Sequence, residues 1–247
     1  MRTKIIFIII LLILWEASAR AGLYPTYVFP ALSDVAVNLY EGFLKSNYIH
    51  DVWMSLERGF IGFSIGVIVG IAIGLALARY IVVKDTLGFL MLGLIMLPSL
   101  AWMPLSLMWF GFGEWAIIFV AFIGSVFSVA LATEESVKNI SPIYLKVGRT
   151  MGARSFDLYF KVILPSIVPS IVSGIKLGWA FSWHALMAAE MLFATAGIGH
   201  VLIVGKEFND MTQVIAAMVL MIFIALIINF SIFRPAEDII NKKWGLK

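Results

Sequence analysis

The chain has 247 residues, of which 62% are hydrophobic and 13% charged, with a mean hydropathy of +0.99; soluble domains hold roughly 45–50% apolar and 25% charged residues, so this composition is that of a polytopic membrane protein. The net charge of +3 sits in a membrane context where Lys and Arg mark cytoplasmic loops, which sets nucleic acid aside as a partner. There is no cysteine, and with it go disulfides, Cys-ligated zinc and thiol nucleophiles.

A spanning helix takes about 20 residues, so five or six spans and their loops fill the chain and leave no room for a separate soluble domain. The amino terminus, Arg2-Thr3-Lys4 and then an apolar run from Ile5 to Trp15, has two readings. Ala17-Ser18-Ala19 resembles a signal-peptidase site after a short apolar region. A retained first span is favoured, because polytopic proteins rarely need a cleaved signal and Trp15 suits an interface. From Leu23 to Val52 the chain is more polar. Pro30 can open a helix there, and Leu32, Val35, Leu39 and Phe43 share one face of it, as in an amphipathic segment lying along the membrane surface.

Phe60 to Ala78 is apolar and carries Gly62, Gly66, Gly70 and Gly74. The four-residue interval lines them along one side of a helix and predicts a seam where another backbone approaches closely. Leu87 to Phe110 contains Pro98 and Pro104, which remove backbone donors and predict a kinked or interrupted span. Gly111-Phe112-Gly113-Glu114 is a tight turn, Trp115 to Leu131 spans again, Val162 to Met191 is apolar but holds Lys176, His184 and Glu190, and Met211 to Phe233 precedes a charged tail. Six spans follow, at approximately 5–22, 58–79, 87–110, 114–132, 163–190 and 211–233. One side then collects Arg2, Lys4, Arg79, Lys84, Lys138, Lys146, Arg149, Arg154, Lys161, Arg234, Lys242, Lys243 and Lys247; the other has Arg20, Lys45, Arg58 and Lys206. The richer side is cytoplasmic, which places both termini and the polar stretch Ile140–Pro165 in the cytoplasm.

That stretch is the main polar interruption between apolar segments. Pro142 can start a short helix on which Ile143, Val147, Thr150 and Met151 share one side, while Lys146, Arg149 and Arg154 stay solvated. Such a ridge can dock in a partner's groove or lie on anionic headgroups. Gly148 and Gly152, four apart, allow close backbone approach or a break between two short helices.

Gly152 is followed after nine residues by Val162-Ile163-Leu164-Pro165, and this spacing resembles the cytoplasmic loop of permease subunits of binding-protein-dependent ABC importers. In that pattern a Glu-Ala-Ala triplet, three residues and a Gly precede the Ile-x-Leu-Pro; here the triplet falls on Lys146-Val147-Gly148, with a base in place of the acid. Pro98-Ser99-Leu100-Ala101, Trp109-Phe110-Gly111-Phe112-Gly113-Glu114, Ser173 to Gly178, Ala189-Glu190 and Gly197-Ile198-Gly199 are similar to the nitrate, sulfonate and taurine branch of that family. The resemblance implies an all-α type I importer permease fold, a single transmembrane domain over 1–247, and coupling helices at 140–162. It implies ATPase coupling through Lys146, Val147, Gly148, Arg149, Met151, Gly152, Ala153, Leu164 and Pro165. The implied partners are an ATPase dimer, a second permease copy in a homodimer, an external solute-binding protein and the lipid bilayer, in a bacterial or archaeal cytoplasmic (inner) membrane.

No cofactor is expected in this chain, since ATP and Mg would bind the ATPase. Gly199 to Glu207 comes nearest to a phosphate-binding loop, but it has five residues between its glycines where four are needed, and Glu207 where a hydroxyl should be. His50, His184 and His200 lack metal-ligand spacing, and no zinc-protease or serine-hydrolase motif occurs, so the chain reads as a transport subunit and not an enzyme. An ATP-independent channel or secondary transporter is the alternative; it would not need the spaced loop. Lys176, about eleven residues past Pro165, is expected roughly 16 Å into its span. A buried cation there costs about 2.5–3.5 kcal/mol, so it should pair or line a wet path. Steps of seven put Lys176, Trp183 and Glu190 on nearly one stripe, which is expected to wall the translocation pathway. Two uses stay open for Lys176, passing an anion through the midplane or satisfying a carbonyl or carboxylate between helices. Glu190 is read as a carboxylate at the outer mouth.

Overall fold

The computed structural model describes residues 2–22, 24–45 and 47–245. Lys247, counted above among the basic residues, and the side chains of Arg2 and Lys4 lie outside the described residues. Among the described residues all secondary structure is helical. The helices are α1 (Arg2–Arg20), α2 (Leu32–Lys45), α3 (Tyr48–Arg79), α4 (Ile81–Met96), α5 (Ser99–Phe110), α6 (Glu114–Lys138), α7 (Pro142–Thr150), α8 (Ser155–Leu158), α9 (Tyr159–Phe193), α10 (Ile198–Glu207) and α11 (Met211–Lys243).

Four of these, α3, α6, α9 and α11, are long and apolar enough to cross a membrane, and the bent pair α4 and α5 makes a fifth if counted as one span. The sixth expected span would have to be α1. Its uncharged run from Ile5 to Trp15, between Lys4 and Glu16, extends about 16 Å, half of a hydrocarbon core.

The chain gathers into two compact units, each discontinuous in sequence. The first holds residues up to Leu56 and Glu190–Ile224. In it α2 packs on α1: the indole N–H of Trp15 donates to the Pro30 carbonyl at 3.1 Å, and the Glu16 carboxylate accepts the Ser33 N–H at 3.1 Å, satisfying a donor that the first turn of α2 cannot use. Val35 is buried and Leu32 and Leu39 half-buried, whereas Phe43 is exposed, so three of the four positions on the expected amphipathic face turn to the protein.

The second unit holds Glu57–Ala189 and Ala225–Lys247. Its centre is the expected glycine seam. A Cβ added at Gly62 would lie 2.6 Å from the Ile118 carbonyl oxygen, and one at Gly70 2.9 Å from that of Val126; Gly66 meets Ser125 and Gly74 meets Ala130 and Thr133 just as closely. Glycine lets the backbone of α3 rest directly on α6. Gly174 and Gly178 of α9 come as close to Ala132 and Val129 of α6, Val129 being the residue that Gly70 also meets.

The interrupted span is also present. The helix stops at Leu97, whose ψ of 127° is extended, and α5 leaves at 105° to α4. Pro98 alone makes this break, because it forces the residue before it out of helical geometry. Pro104 breaks nothing. It sits in the first turn of the α-helical part Met103–Phe110, where a missing N–H is tolerated.

Two π-turns, Tyr159–Ile163 and Asn229–Phe233, each end just ahead of a proline. Leu164 N–H donates to Tyr159 and Arg234 N–H to Asn229, both five residues back. Pro165 and Pro235 cannot donate to the usual carbonyl and their rings crowd it; the wider turn relieves both problems and keeps the helix running. The expected boundary between coupling helices and span at residues 162 and 163 is therefore no break: helix continues from Ser155 to Phe193.

Candidate functional site

The Ile140–Pro165 stretch folds as the short helix α7, a turn, and a return into α9. Pro142 occupies the first turn of α7, where its fixed φ favours the helix. The helix ends in a Schellman arrangement, in which Ala153 N–H donates to the Gly148 carbonyl and Gly152 N–H to that of Arg149, both at 3.0 Å. Gly152 adopts φ +85°, a conformation that costs other residues about 1–2 kcal/mol. Gly148 is buried under Leu158 and Val162, each 2.9 Å from where a Cβ would stand. Both readings of the two glycines are realised, close approach at the first and a break between helices at the second.

This packing turns Leu145 and Gly148 inward and leaves Ile143, Tyr144, Val147 and Met151 exposed, Met151 at 82%. Lys146 and Arg149 are exposed too, Ala153, Leu164 and Pro165 are partly buried, and the side chains of Ser155 and Phe156 lie outside the described residues. Tyr144 was missed in the sequence, although its spacing of three to Val147 and seven to Met151 places it on the same ridge. The Tyr159 hydroxyl donates to the Leu75 carbonyl at 3.2 Å, tying the start of α9 to the end of α3.

The three residues of the expected stripe on α9 have separate fates. Lys176 Nζ lies 2.9 Å from Glu237 Oε2, with 38% of its side chain exposed and 23% of its partner's, and Ser173 Oγ reaches the same carboxylate at 3.4 Å. Glu237 lies in the tail that the sequence reading put beyond the last span, so Lys176 meets that end of α11, which the reckoning from Pro165 did not anticipate. The use between helices, with a carboxylate as partner, is the one seen. Trp183 is buried in an aromatic cluster: it stacks on Trp179 at 5.7 Å, which stacks on Phe60 at 5.0 Å and meets Phe63 edge-on at 5.1 Å.

The expectation for Glu190, an ordinary carboxylate at the outer mouth, meets a buried side chain. Glu190 is 0% exposed. Its Oε2 accepts the Ser55 hydroxyl at 2.7 Å and the Gly199 N–H at 3.1 Å. Ile198 N–H donates to Ser55 Oγ at 2.9 Å and Gly197 N–H to Asp51 Oδ1 at 2.8 Å. Glu190 and Ser55 thus consume donors at the start of α10 that have no intrahelical partner. Gly197, at φ +126°, leaves no room for a Cβ, which would stand 2.6 Å from the Glu190 carboxyl group. A carboxylate so held stays buried because hydrogen bonds replace its water.

Residues 66–239 match the family described as the binding-protein-dependent transport system inner membrane component. The chain belongs to that family. It is a multi-pass membrane permease of the kind that serves ABC importers. It is 31% identical to an ABC transporter permease protein of Methanocaldococcus jannaschii over 84% of this chain and 78% of that one. It is 30% identical to the nitrate import permease protein of Leptolyngbya laminosa over 71% and 63%, and 26% identical to the taurine transport system permease protein of Escherichia coli over 90% and 83%. Among solved structures, inward-facing conformations of the MetNI methionine ABC transporter match with a TM-score of 0.64 at 20% identity, covering 76% of this chain and 95% of that one. The fold is the type I importer permease fold that the motifs implied.

Proposed function

We propose that this chain is the membrane-spanning subunit of an importer for a small anion such as nitrate, taurine or another sulfonate, working by alternating access and driven by a separate ATPase dimer. The observation that carries the coupling role is the exposed ridge Ile143, Tyr144, Val147 and Met151, presented on a helix fixed from beneath by Gly148 and stopped by Gly152. A short amphipathic helix held in this way is suited to a groove on a partner. Lys146 stands where related loops carry an acid, so the facing groove would offer a carboxylate of its own. The names of the relatives support the substrate class.

In this reading both termini and the loop are cytoplasmic, α1 completes a sixth span by using its whole 19-residue length and not its short uncharged run alone, two copies of the chain pair in the membrane, and a solute-binding protein delivers from the opposite side. ATP and Mg bind the ATPase alone. Lys176 serves the fold through Glu237 and is not a charge offered to the solute. Affinity purification of the tagged full chain from its native membranes, followed by assay of ATP hydrolysis in the eluate, tests the docking: Val147→Asp with Met151→Asp is expected to remove the activity while the chain remains in the membrane. Undiminished ATP hydrolysis in that eluate would overturn it.

A further inference from the structure

Beneath the loop, on the side away from the exposed ridge, lies a cavity of about 490 Å³ whose lining includes Arg79, Arg149, Arg154, Leu145, Leu158 and Ile163. Three arginines, each partly open to solvent, line this one cavity, and their like charges favour an anion among them. Among the described residues none of the three meets a carboxylate. The acidic groups on the same segments are engaged elsewhere, Glu134 with Lys138 and Asp157 with Lys161, and Glu135 is exposed two residues from the lining residue Val137, on another face of its helix. Arg79 lies over the ring of Tyr80, at 5.9 Å.

The other wall is apolar. Leu145, Leu158 and Ile163 line it, and a free oxyanion has no use for such a surface. Arg79 is also the last residue of α3, one of the helices long and apolar enough to cross the membrane, so the cavity opens where that helix leaves the bilayer. A charged rim on an apolar wall at that depth fits an amphiphile with a phosphate head. Arginine forks bind phosphate oxygens in pairs, and basic pockets at the membrane face select anionic headgroups.

We propose that the Arg79–Arg149–Arg154 cavity binds the phosphate headgroup of an anionic phospholipid, with the glycerol and first methylenes against Leu145, Leu158 and Ile163. The bound lipid pins the loop to the bilayer from below while its upper ridge stays open. The site needs neither solute nor ATPase, so it stands apart from the function proposed above.

The test uses the full chain purified in detergent micelles, titrated separately with phosphatidylglycerol, phosphatidylcholine and inorganic phosphate, with retained lipid counted by native mass spectrometry and thermal stabilisation read alongside. Phosphatidylglycerol is expected to bind and stabilise the wild type, and the combined Arg79→Gln, Arg149→Gln, Arg154→Gln variant to bind it at least about tenfold more weakly, the effect of losing one charge-assisted pair. Lys161→Gln, which removes a positive charge outside the cavity, should bind like the wild type. If the glutamine variant does not fold, the triple lysine variant decides: it keeps the charge but loses the fork, and a clear loss of affinity is expected. Unchanged phosphatidylglycerol affinity in the folded variant overturns the proposal. So does equal binding of phosphatidylcholine, or inorganic phosphate giving the whole stabilisation, which would make this a site for a free anion.

Discussion

Lys176 and Glu237, sixty-one positions apart, form a 2.9 Å ion pair between α9 and α11. The pair is partly exposed, so its removal costs more than a surface bridge and less than a fully buried one. Lys176→Met should lower stability by about 1–2 kcal/mol. The double variant Lys176→Met, Glu237→Met should recover most of that loss, because no charge is left without its partner. Thermal unfolding and uptake in vesicles check both. A double variant that regains stability but not uptake would give the ammonium a role toward the solute.

The seam between α3 and α6 makes a sharp contrast between glycines. Gly70→Ala places a methyl 2.9 Å from a backbone oxygen of α6 and should destabilise by about 1–3 kcal/mol, since neither backbone can yield. Gly93→Ala meets nothing within 4 Å and should stabilise α4 by about 0.5–1 kcal/mol, the helix-interior gain over glycine. Midpoints of thermal unfolding in detergent should move in opposite directions.

The turn after α7 depends on Gly152. Gly152→Val forces a branched residue to φ +85° at a cost of about 1–2 kcal/mol or more, and the turn should open locally while the spans persist. Trypsin cleavage at Arg149 and Arg154, followed by mass spectrometry, is expected to accelerate in the variant. An unchanged cleavage rate would show that the turn does not restrain the loop.

Glu190→Ala leaves the Ser55 hydroxyl and the Gly199 N–H without the acceptor they share, a loss of about 1–3 kcal/mol. Glu190→Gln keeps an acceptor oxygen and should lose less. Hydrogen exchange resolves the two, with the amides of Gly197, Ile198 and Gly199 expected to exchange fastest in the alanine variant.

Local features of this fold were legible and distant ones were not. The seam, the break at Pro98 and both glycines of the loop follow from spacing or from one residue's backbone chemistry, so the sequence carries them directly. Glu190 was misread because what buries it comes from Ser55, 135 positions away, and no periodicity on its own helix announces that. Lys176 was placed by counting from Pro165, but its partner sits on another helix. The π-turns had a readable signal, a proline following an otherwise unbroken helical segment; the sequence reading took each such point as a boundary. The ridge on α7 was expected without Tyr144, whose ring was not counted with the aliphatic positions, and with Thr150, whose hydroxyl instead turns back to the Lys146 carbonyl.

The glycine contacts from Gly62 to Gly74 have a mechanical consequence. They extend about 18 Å along the helix axis, and any screw motion of α3 against α6 would bring Phe63, Val67, Ile71 and Leu75 into spaces that hold no side chain. The two helices can neither slide nor roll past each other, so they form a strut. A push on the loop that follows α6 reaches the other end of the pair undiminished, and any bending during transport falls to the segments beyond it.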